Sequence, residues 1–131
     1  MRIYVTHCTW RKDDRLRNTG EQVTPDRLYK GKFIEAFMRE CKHKGVNWAI
    51  FSDKYGVWLP HEKYEWYDKD PNHVTEDEYQ ELLSDFDQKL APYDEVRFYC
   101  PPRFHRLYKR LLRETRLRDR ITTIRSVTQI F

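Results

Sequence analysis

The chain has 131 residues, a length that fits one domain and leaves little room for a second hydrophobic core. Apolar residues make up 39% of it and charged residues 35%, a balance typical of a folded domain with a well-solvated exterior. No apolar run approaches the roughly 20 residues of a membrane span, and the first residues, 1–5, lack the apolar segment of a signal peptide. The sequence therefore predicts a single domain over residues 1–131, located in the cytoplasm and without a membrane partner.

The net charge of +4 hides a segregation of charge along the chain. Residues 61–95 contain twelve Asp and Glu against three Lys, whereas residues 103–125 contain nine Lys and Arg against two acidic residues. One interpretation is a pair of solvated helix faces that attract each other, and a second is a basic surface for phosphate or nucleic acid. A third is self-association through opposite charges. The candidate nucleic-acid contacts are Arg103, Arg106, Lys109, Arg110 and Arg113.

In the first half of the chain, strand and helix patterns alternate. A predicted strand at Arg2–Thr6 is followed by the long polar stretch Thr9–Lys32, which we expect to cover or complete a site. Lys32–His43 is predicted to be a helix that ends before Gly45, and the apolar run Trp48–Phe51 a buried strand. The buried face of this helix is predicted to carry Phe33, Phe37, Met38 and Cys41.

The second half continues the alternation. Val57–His73 is interpreted as an ordered, aromatic-rich loop, and the capping box at Thr75–Glu78 starts a helix that Pro92 stops. Glu95–Tyr99 and Ile121–Val127 are predicted strands. Between them lies a helix with an apolar stripe of Phe104, Leu107, Tyr108, Leu111 and Leu112.

This alternation predicts an α/β fold with a three-layer, Rossmann-like arrangement: a mainly parallel sheet of about four to five strands with helical crossovers. In such a sheet the binding crevice lies beyond the carboxyl ends of the strands. Three loops are therefore expected to converge there: Thr6–Lys12, Ser52–Gly56 and Cys100–Arg103.

The first of these loops contains a candidate nucleophile, Cys8. Lys12 lies four residues further on, and its ammonium group would lower the pKa of the thiol and favour the thiolate. The alternatives are a small buried thiol where the strand ends and a supporting role in the site. His7 alternates with Cys8 across the strand, so the two side chains are not expected to form a dyad, and Thr6 is a candidate ligand contact.

The second loop, Ser52–Gly56, has the densest concentration of chemical groups. Ser52 offers a hydroxyl, Asp53 a possible base and Lys54 a partner for phosphate or carboxylate, and Gly56 permits a positive φ angle. The alternative is a plain turn with a local charge pair. Neither this loop nor the first matches a phosphate-binding glycine signature, and the three cysteines and five histidines form no metal-binding pattern, so no cofactor and no metal are predicted.

The third loop places Pro101 and Pro102 ahead of a helix whose first turns carry Arg103 and Arg106. A helix N-terminus with nearby arginines can hold a phosphate. The alternative is a helix that simply starts after prolines. The sequence leaves both interpretations open.

Two motifs carry a family resemblance. Cys8 and Lys12, spaced Cys-x-x-x-Lys, and Ser52–Gly56, of the form Ser-x-Lys-Tyr-Gly, resemble a largely uncharacterised family of small bacterial, archaeal and phage α/β domains over residues 2–108. The pattern is more remotely similar to the core domain of archaeosine synthase, which acts on a 7-deazaguanine base in tRNA, and to peroxide-stress-resistance proteins. The resemblance implies one pocket lined by Cys8, Lys12, Ser52, Lys54, Tyr55, Gly56, Tyr67 and Asp68.

The sequence departs from this pattern in three places. Lys12 is followed by two aspartates where the archaeosine-synthase-like element has Pro-Tyr, and Asp53 replaces a small residue. The turn after the third strand, expected to contain Gly or Ser, is Cys100–Pro102. The leading hypothesis is an enzyme of nucleotide or nucleic-acid base metabolism, with Cys8, Asp53 and Asp68 as catalytic candidates and a small nucleotide or base as partner. The alternative is a non-catalytic nucleic-acid-binding module that uses the basic residues 103–125.

Overall fold

The computed structural model describes residues 1–131 as a mixed α/β fold. The strands are β1 (Arg2–His7), β2 (Gln22–Val23), β3 (Trp48–Ser52), β4 (Gly56–Trp58), β5 (Tyr64–Glu65), β6 (Glu95–Tyr99) and β7 (Ile121–Ile124). The α-helices are α1 (Pro25–Leu28), α2 (Lys32–Lys44), α3 (Glu76–Leu90) and α4 (Arg106–Glu114). Short 3-10 turns occupy Asp14–Leu16, Pro71–His73, Arg118–Arg120 and Val127–Gln129.

Five strands form one mostly parallel sheet in the order β4-β3-β1-β6-β7. β1 is parallel to both β3 and β6, β7 is parallel to β6, and only β4 is antiparallel to its neighbour. β2 and β5 form a separate antiparallel pair. Because β1, β3 and β6 are parallel neighbours, their carboxyl ends lie side by side at one edge of the sheet.

β4 replaces part of the loop predicted over Val57–His73. After β3 the chain turns back and pairs with it, Gly56 opposite Ser52, with φ +76° at Gly56. Val57 and Trp58 are fully buried, so this short strand gains enough apolar contact to pair. The predicted last strand is also shorter than expected, because the Ser126 hydroxyl accepts a hydrogen bond from Thr128 N (3.2 Å) and starts a 3-10 turn.

The predicted helices are present, but one residue predicted on the buried face of α2 lies outside it. α2 begins at Lys32 as predicted and ends at Gly45, whose φ of +66° lets its N–H reach the carbonyl of Cys41. Phe33, predicted on the buried face, is 41% exposed, and the next residue, Ile34, is buried instead. Ile34 lies three residues before Phe37 and therefore shares its face of the helix.

The capping box that starts α3 is confirmed. Thr75 Oγ1 accepts from Glu78 N (3.2 Å), and Glu78 Oε1 accepts from Thr75 N (2.9 Å). Arg110 of α4 donates two hydrogen bonds of 2.8 Å to the Glu76 carboxylate and pairs with Glu114. The acidic and basic segments thus contact each other within one chain, which supports the interpretation of two attracting helix faces.

The buried hydrophobic residues form one cluster around the sheet. Phe37 of α2 stacks on Tyr99 with ring centroids 5.8 Å apart, whereas Phe86 of α3 and Tyr108 of α4 pack edge-on against Phe51. The longest helix, α3, has 15 residues, and no helix is both long and apolar enough to cross a bilayer.

The polar stretch Thr9–Lys32 is ordered and lies beside the carboxyl ends of the strands. Lys12 forms an antiparallel bridge with Tyr29, Asp13 N donates to Leu28 O (2.8 Å), and Lys30 N donates to Arg11 O (3.0 Å). These bonds fix Lys12 above the sheet edge.

Candidate functional site

The three predicted loops meet because β1 lies between β3 and β6. Cys8 N donates to Phe51 O (2.9 Å), which ties the first loop to the end of β3. Thr6 Oγ1 donates to Tyr99 O (2.8 Å), which ties β1 to the end of β6. The Thr6 hydroxyl is therefore used in a structural hydrogen bond, and the residue also lines a cavity at the ends of β1 and β6, so its predicted role as a ligand contact stays a prediction.

A buried polar cluster lies where these loops meet, and we call it the Asp53 cluster. It consists of Cys8, Ser52, Asp53, Tyr67 and Tyr108, each less than a tenth exposed. The Cys8 thiol donates to Asp53 Oδ1 (3.5 Å), and its sulfur accepts from Asp53 N (3.4 Å). The Tyr108 hydroxyl lies 3.2 Å from the same sulfur. Cys8 thus holds the Asp53 loop against β1 and α4.

Ser52 shapes the loop from inside. Its Oγ accepts from Lys54 N (3.1 Å) and Tyr55 N (3.0 Å) and donates to the Tyr67 hydroxyl (3.1 Å). The Tyr67 hydroxyl also lies 2.7 Å from that of Tyr29. Because Ser52 is fully buried and these contacts use its hydroxyl, it orients the residues around it instead of facing a ligand.

Asp53 is the acid–base candidate that the geometry favours. Burial raises the pKa of its carboxyl above the ordinary value, and the hydrogen bond from Cys8 and the charge of Lys12 oppose this only in part. A carboxyl group with a raised pKa exchanges protons at a higher pH than a surface aspartate does. Asp53 also lines a surface pocket, although only 3% of the residue is exposed.

Among the interpretations of Cys8, the structure favours the small buried thiol over the nucleophile. Burial and the neighbouring Asp53 raise the pKa of the Cys8 thiol to about 12, which favours the thiol over the thiolate. The expected lowering of this pKa by Lys12 is opposed by two features, since Cys8 is only 7% exposed and lies beside a carboxyl group. The ring of His7 contacts the Cys8 carbonyl oxygen (2.7 Å), not the thiol, as expected of side chains on opposite faces.

Two lysines flank the ring of Tyr67. Lys12 Nζ lies 4.4 Å from the ring centroid and Lys54 Nζ lies 6.0 Å from it. Burial lowers the pKa of Lys12, while Lys54 is exposed. Neither lysine forms an ion pair within the chain. Lys12 Nζ donates to Trp10 O (3.3 Å), and neither ammonium group is held by a carboxylate that an anionic ligand would have to displace.

Two cavities adjoin this pair. The cavity that we call the cationic cleft has a volume of about 470 Å³ and is lined by four cations, three aromatic residues and two carboxylates: Arg11, Lys12, Arg17, Lys30, Trp10, Trp66, Tyr67, Asp14 and Asp68. A second, which we call the acidic pocket, has about 450 Å³ and is lined by Asp53, Lys54 and several acidic residues of α3. Asp68, a predicted catalytic residue, is exposed and lines both cavities.

Two predicted ligand contacts have structural partners instead. The Tyr55 ring stacks on Tyr64 with centroids 4.4 Å apart, and its hydroxyl donates to Glu65 O (3.1 Å). Gly56 lies against the carboxylate of Asp85, which accepts from the neighbouring backbone N–H. Both residues also line the acidic pocket, so each contributes to its wall.

The predicted nucleic-acid residues fall into three groups. Arg106, Lys109 and Arg113 are exposed and form no ion pair. Arg110 is taken by Glu76 and Glu114, so it is less available than predicted. Arg103 is exposed and lies apart from α4, beside the ends of β1 and β6.

Tyr108 and Tyr29 are members of the site region that sequence reasoning missed. Tyr108 was assigned to the apolar stripe of a helix, and its hydroxyl instead contacts Cys8. The available signal was its chemistry, because a buried tyrosine needs a partner for its hydroxyl group. Trp10 was also passed over as a site residue, although it is 80% exposed at the mouth of the cleft.

No group of three or more His, Cys, Asp or Glu side chains is arranged to hold a metal ion. The chain matches no family model, no curated protein and no solved structure. The family resemblance of the Cys8–Lys12 and Ser52–Gly56 motifs therefore stays a prediction, and the site is argued from its geometry alone.

Proposed function

We propose that this chain is an enzyme acting on a nucleotide or nucleic-acid base, with Asp53 moving a proton in the reaction. The observation that carries the proposal is Asp53 itself, a buried carboxyl group with a raised pKa at the end of a parallel strand. Groups with such pKa values in a cleft are characteristic of acid–base sites. Lys12 and Lys54 on either side of Tyr67 supply positive charge for an anionic substrate.

The substrate class is supported by the lining of the cationic cleft. Trp10 offers a flat apolar surface on which a base can stack, whereas the Arg17 guanidinium lies over the Trp66 ring, 5.0 Å from its centroid. The cations of the cleft attract phosphate. The family resemblance narrows the proposed substrate to a modified base of the 7-deazaguanine kind. Asp68 faces the same cleft and is the second candidate for proton transfer.

In this proposal Cys8 positions Asp53 and does not attack the substrate. Its thiol donates to the Asp53 carboxyl and accepts from the Asp53 backbone, so it fixes the group that carries the proton. The raised pKa of the Cys8 thiol keeps it in the form that donates this hydrogen bond.

We further infer that the fold is the three-layer, Rossmann-like arrangement predicted from the sequence. Trp48 and Phe51 of β3 are three residues apart and so point to opposite sides of the sheet. Phe37 of α2 packs near Trp48, and Phe86 of α3 near Phe51, which supports helices on both faces. The helical connections that follow β1 and β6 would then lie on opposite faces of the sheet. Folds of this kind bind ligands between two strands whose connections diverge in this way.

The test is a thermal-shift screen of nucleobases, nucleosides, nucleotides and 7-deazaguanines. We expect a ligand to raise the melting temperature of the wild type and of the control Lys63→Ala, but not that of Lys54→Ala. Lys63 is a suitable control because it is an exposed lysine without an ion pair and lies outside both cavities. Asp53→Asn should still bind the ligand but not convert it.

Two results would contradict the proposal. One is the absence of any stabilising ligand in the screen. The other is a variant Lys54→Ala that melts at a lower temperature but binds the ligand as the wild type does, because the lysine would then serve the fold alone.

The alternative function, a nucleic-acid-binding module, is favoured by one observation: Arg106, Lys109 and Arg113 are exposed cations without acidic partners. Contacts to phosphates release counterions, so this function predicts an affinity that falls steeply with salt and is insensitive to Lys54→Ala. A flat salt dependence would count against it.

A further inference from the structure

A third cavity, of about 430 Å³, lies at the carboxyl ends of β1 and β6, and we call it the β1–β6 groove. The N-terminus of α2 forms one side of it and Pro101–Arg103 the other. Four cationic residues line the groove and no Asp or Glu does: Arg11, Lys30, Lys32 and Arg103. A concave surface with charge of one sign attracts ligands of the opposite sign, so the groove favours an anion.

The N-terminus of α2 adds donors to this positive surface. α2 has 13 residues, and its N-cap, Gly31, has no side chain; the Glu35 carboxylate of the first turn accepts from the Gly31 N–H (3.0 Å) and leaves the next three N–H groups uncapped. The backbone N–H groups of Lys32, Phe33 and Ile34 make no hydrogen bond within the chain. All three residues line the groove, so unpaired N–H groups and the positive end of the helix dipole are available to a phosphate.

His7 supplies an independent sign of a ligand. It is 8% exposed and lines the groove, and its Nε2 is buried without a hydrogen-bond partner. Burial lowers the pKa of the imidazole, and Nδ1 donates to the carbonyl oxygen of Cys8, so Nε2 is the acceptor of a neutral ring. A buried acceptor normally has a donor, and a hydroxyl or N–H of a bound ligand would provide one.

Two exposed aromatic residues complete the lining. Trp10 is 80% exposed and Phe33 is 41% exposed, and both belong to the groove. Aromatic rings that line a concave surface and remain open to solvent can stack on nucleobases.

We propose that the β1–β6 groove binds the phosphate of a nucleotide unit at the N-terminus of α2, with the base against Trp10 and a ligand hydroxyl or N–H donating to His7. The inference rests on the proposed function for the nucleotide class and deepens it, because it separates the phosphate site from Asp53. The phosphate has two sources with the same chemistry, a free mononucleotide and a single strand of nucleic acid.

The experiment titrates the protein with adenosine 5′-monophosphate, adenosine, inorganic phosphate and a short 5′-phosphorylated single-stranded oligonucleotide. Binding is followed by calorimetry and by quenching of tryptophan fluorescence. Lys32→Glu changes the charge at the groove, and Arg39→Glu is the matched control, since Arg39 is an exposed cation on the same helix without an ion pair. Trp10→Ala tests stacking and removes little packing, because this side chain is mostly in solvent.

We expect Lys32→Glu to weaken the binding of adenosine 5′-monophosphate at least about tenfold, equivalent to ~1.4 kcal/mol. Arg39→Glu should leave the affinity nearly unchanged, and Trp10→Ala should weaken binding and abolish most of the quenching. Adenosine should bind more weakly than its monophosphate. Tighter binding of the oligonucleotide with a steep salt dependence assigns the groove to a strand, and equal or tighter binding of the mononucleotide assigns it to a free nucleotide.

The inference is overturned if no probe binds, if adenosine binds as tightly as its monophosphate, or if Lys32→Glu and Arg39→Glu have equal effects. Lys54→Ala separates this inference from the proposed function. Loss of binding in Lys54→Ala but not in Lys32→Glu would refute the groove and leave the Asp53 site standing. The reverse pattern would establish the groove and contradict the proposed role of Lys54.

Discussion

Replacing Gly56 with alanine is expected to destabilise the protein strongly. Gly56 has φ +76°, and a side chain in this left-handed region costs about 1–2 kcal/mol. The added Cβ would also overlap the Asp85 carboxylate, which accepts a 2.7 Å hydrogen bond from the buried N–H of Val57. Displacing that carboxylate forfeits a charged hydrogen bond worth roughly 1.5–3 kcal/mol, so we expect a total loss of about 3–5 kcal/mol.

The matched control is Gly45→Ala. Gly45 has φ +66°, but an added Cβ there would meet no atom within 4 Å. The control should therefore show only the backbone cost of about 1–2 kcal/mol. Urea unfolding followed by circular dichroism measures both variants under the same conditions.

The comparison tests the role of Asp85 directly. In an Asp85→Ala background, Gly56→Ala should cost no more than Gly45→Ala does, because the overlapping carboxylate is gone. Equal losses for the two glycine variants in the wild-type background would refute the reasoning. Gly56 would then matter for its φ angle alone.

Three further predictions concern ionisable groups. The contribution of Asp53 to stability is fully present below its ordinary pKa of 3.8 and is lost as pH rises through the raised folded-state pKa, so Asp53→Asn should gain stability relative to the wild type as pH rises. Urea unfolding across this range measures the gain, and a constant difference would contradict the shift. Cys8 should resist iodoacetamide at about pH 8 in the native protein and react in urea, because burial raises its pKa to about 12. Mass spectrometry counts the label, and rapid native labelling of Cys8 would disprove this. Arg110→Met should lower stability in low salt more than in high salt, since its pairs with Glu76 and Glu114 are partly exposed and therefore screened. Denaturation at two ionic strengths decides this, and equal losses would argue against a charge effect.

The sequence predicted the helices and strands whose apolar pattern extends over more than one helical turn or more than one alternation of a strand. α2 and α3 carry two or more turns of apolar spacing and recognisable ends, and β1, β3 and β6 are apolar runs between polar loops. β4 was missed because its three residues, Gly56–Trp58, are too few to show alternation. Its pairing is decided by burial of Val57 and Trp58 against the rest of the fold.

The sequence predicted which loops form the site, but not the contacts that their residues make with distant parts of the chain. Parallel strands alone bring the ends of β1 and β3 together, so the neighbourhood of Cys8 and Asp53 followed from the fold class. The contact of Cys8 with Tyr108 joins residues 100 positions apart and depends on how α4 packs. The pKa of Cys8 depends on burial, which a sequence motif does not specify.

The segment that pairs Arg11 with Lys30 is a partition between the cationic cleft and the β1–β6 groove. Both residues line both cavities, and a single backbone hydrogen bond of 3.0 Å joins Lys30 N to Arg11 O. If each cavity binds an anion, a ligand that draws either side chain into one cavity would remove a positive charge from the other. Occupancy of one cavity would then lower the affinity of the other for anions, and thermodynamic reciprocity would make the penalty the same in both directions.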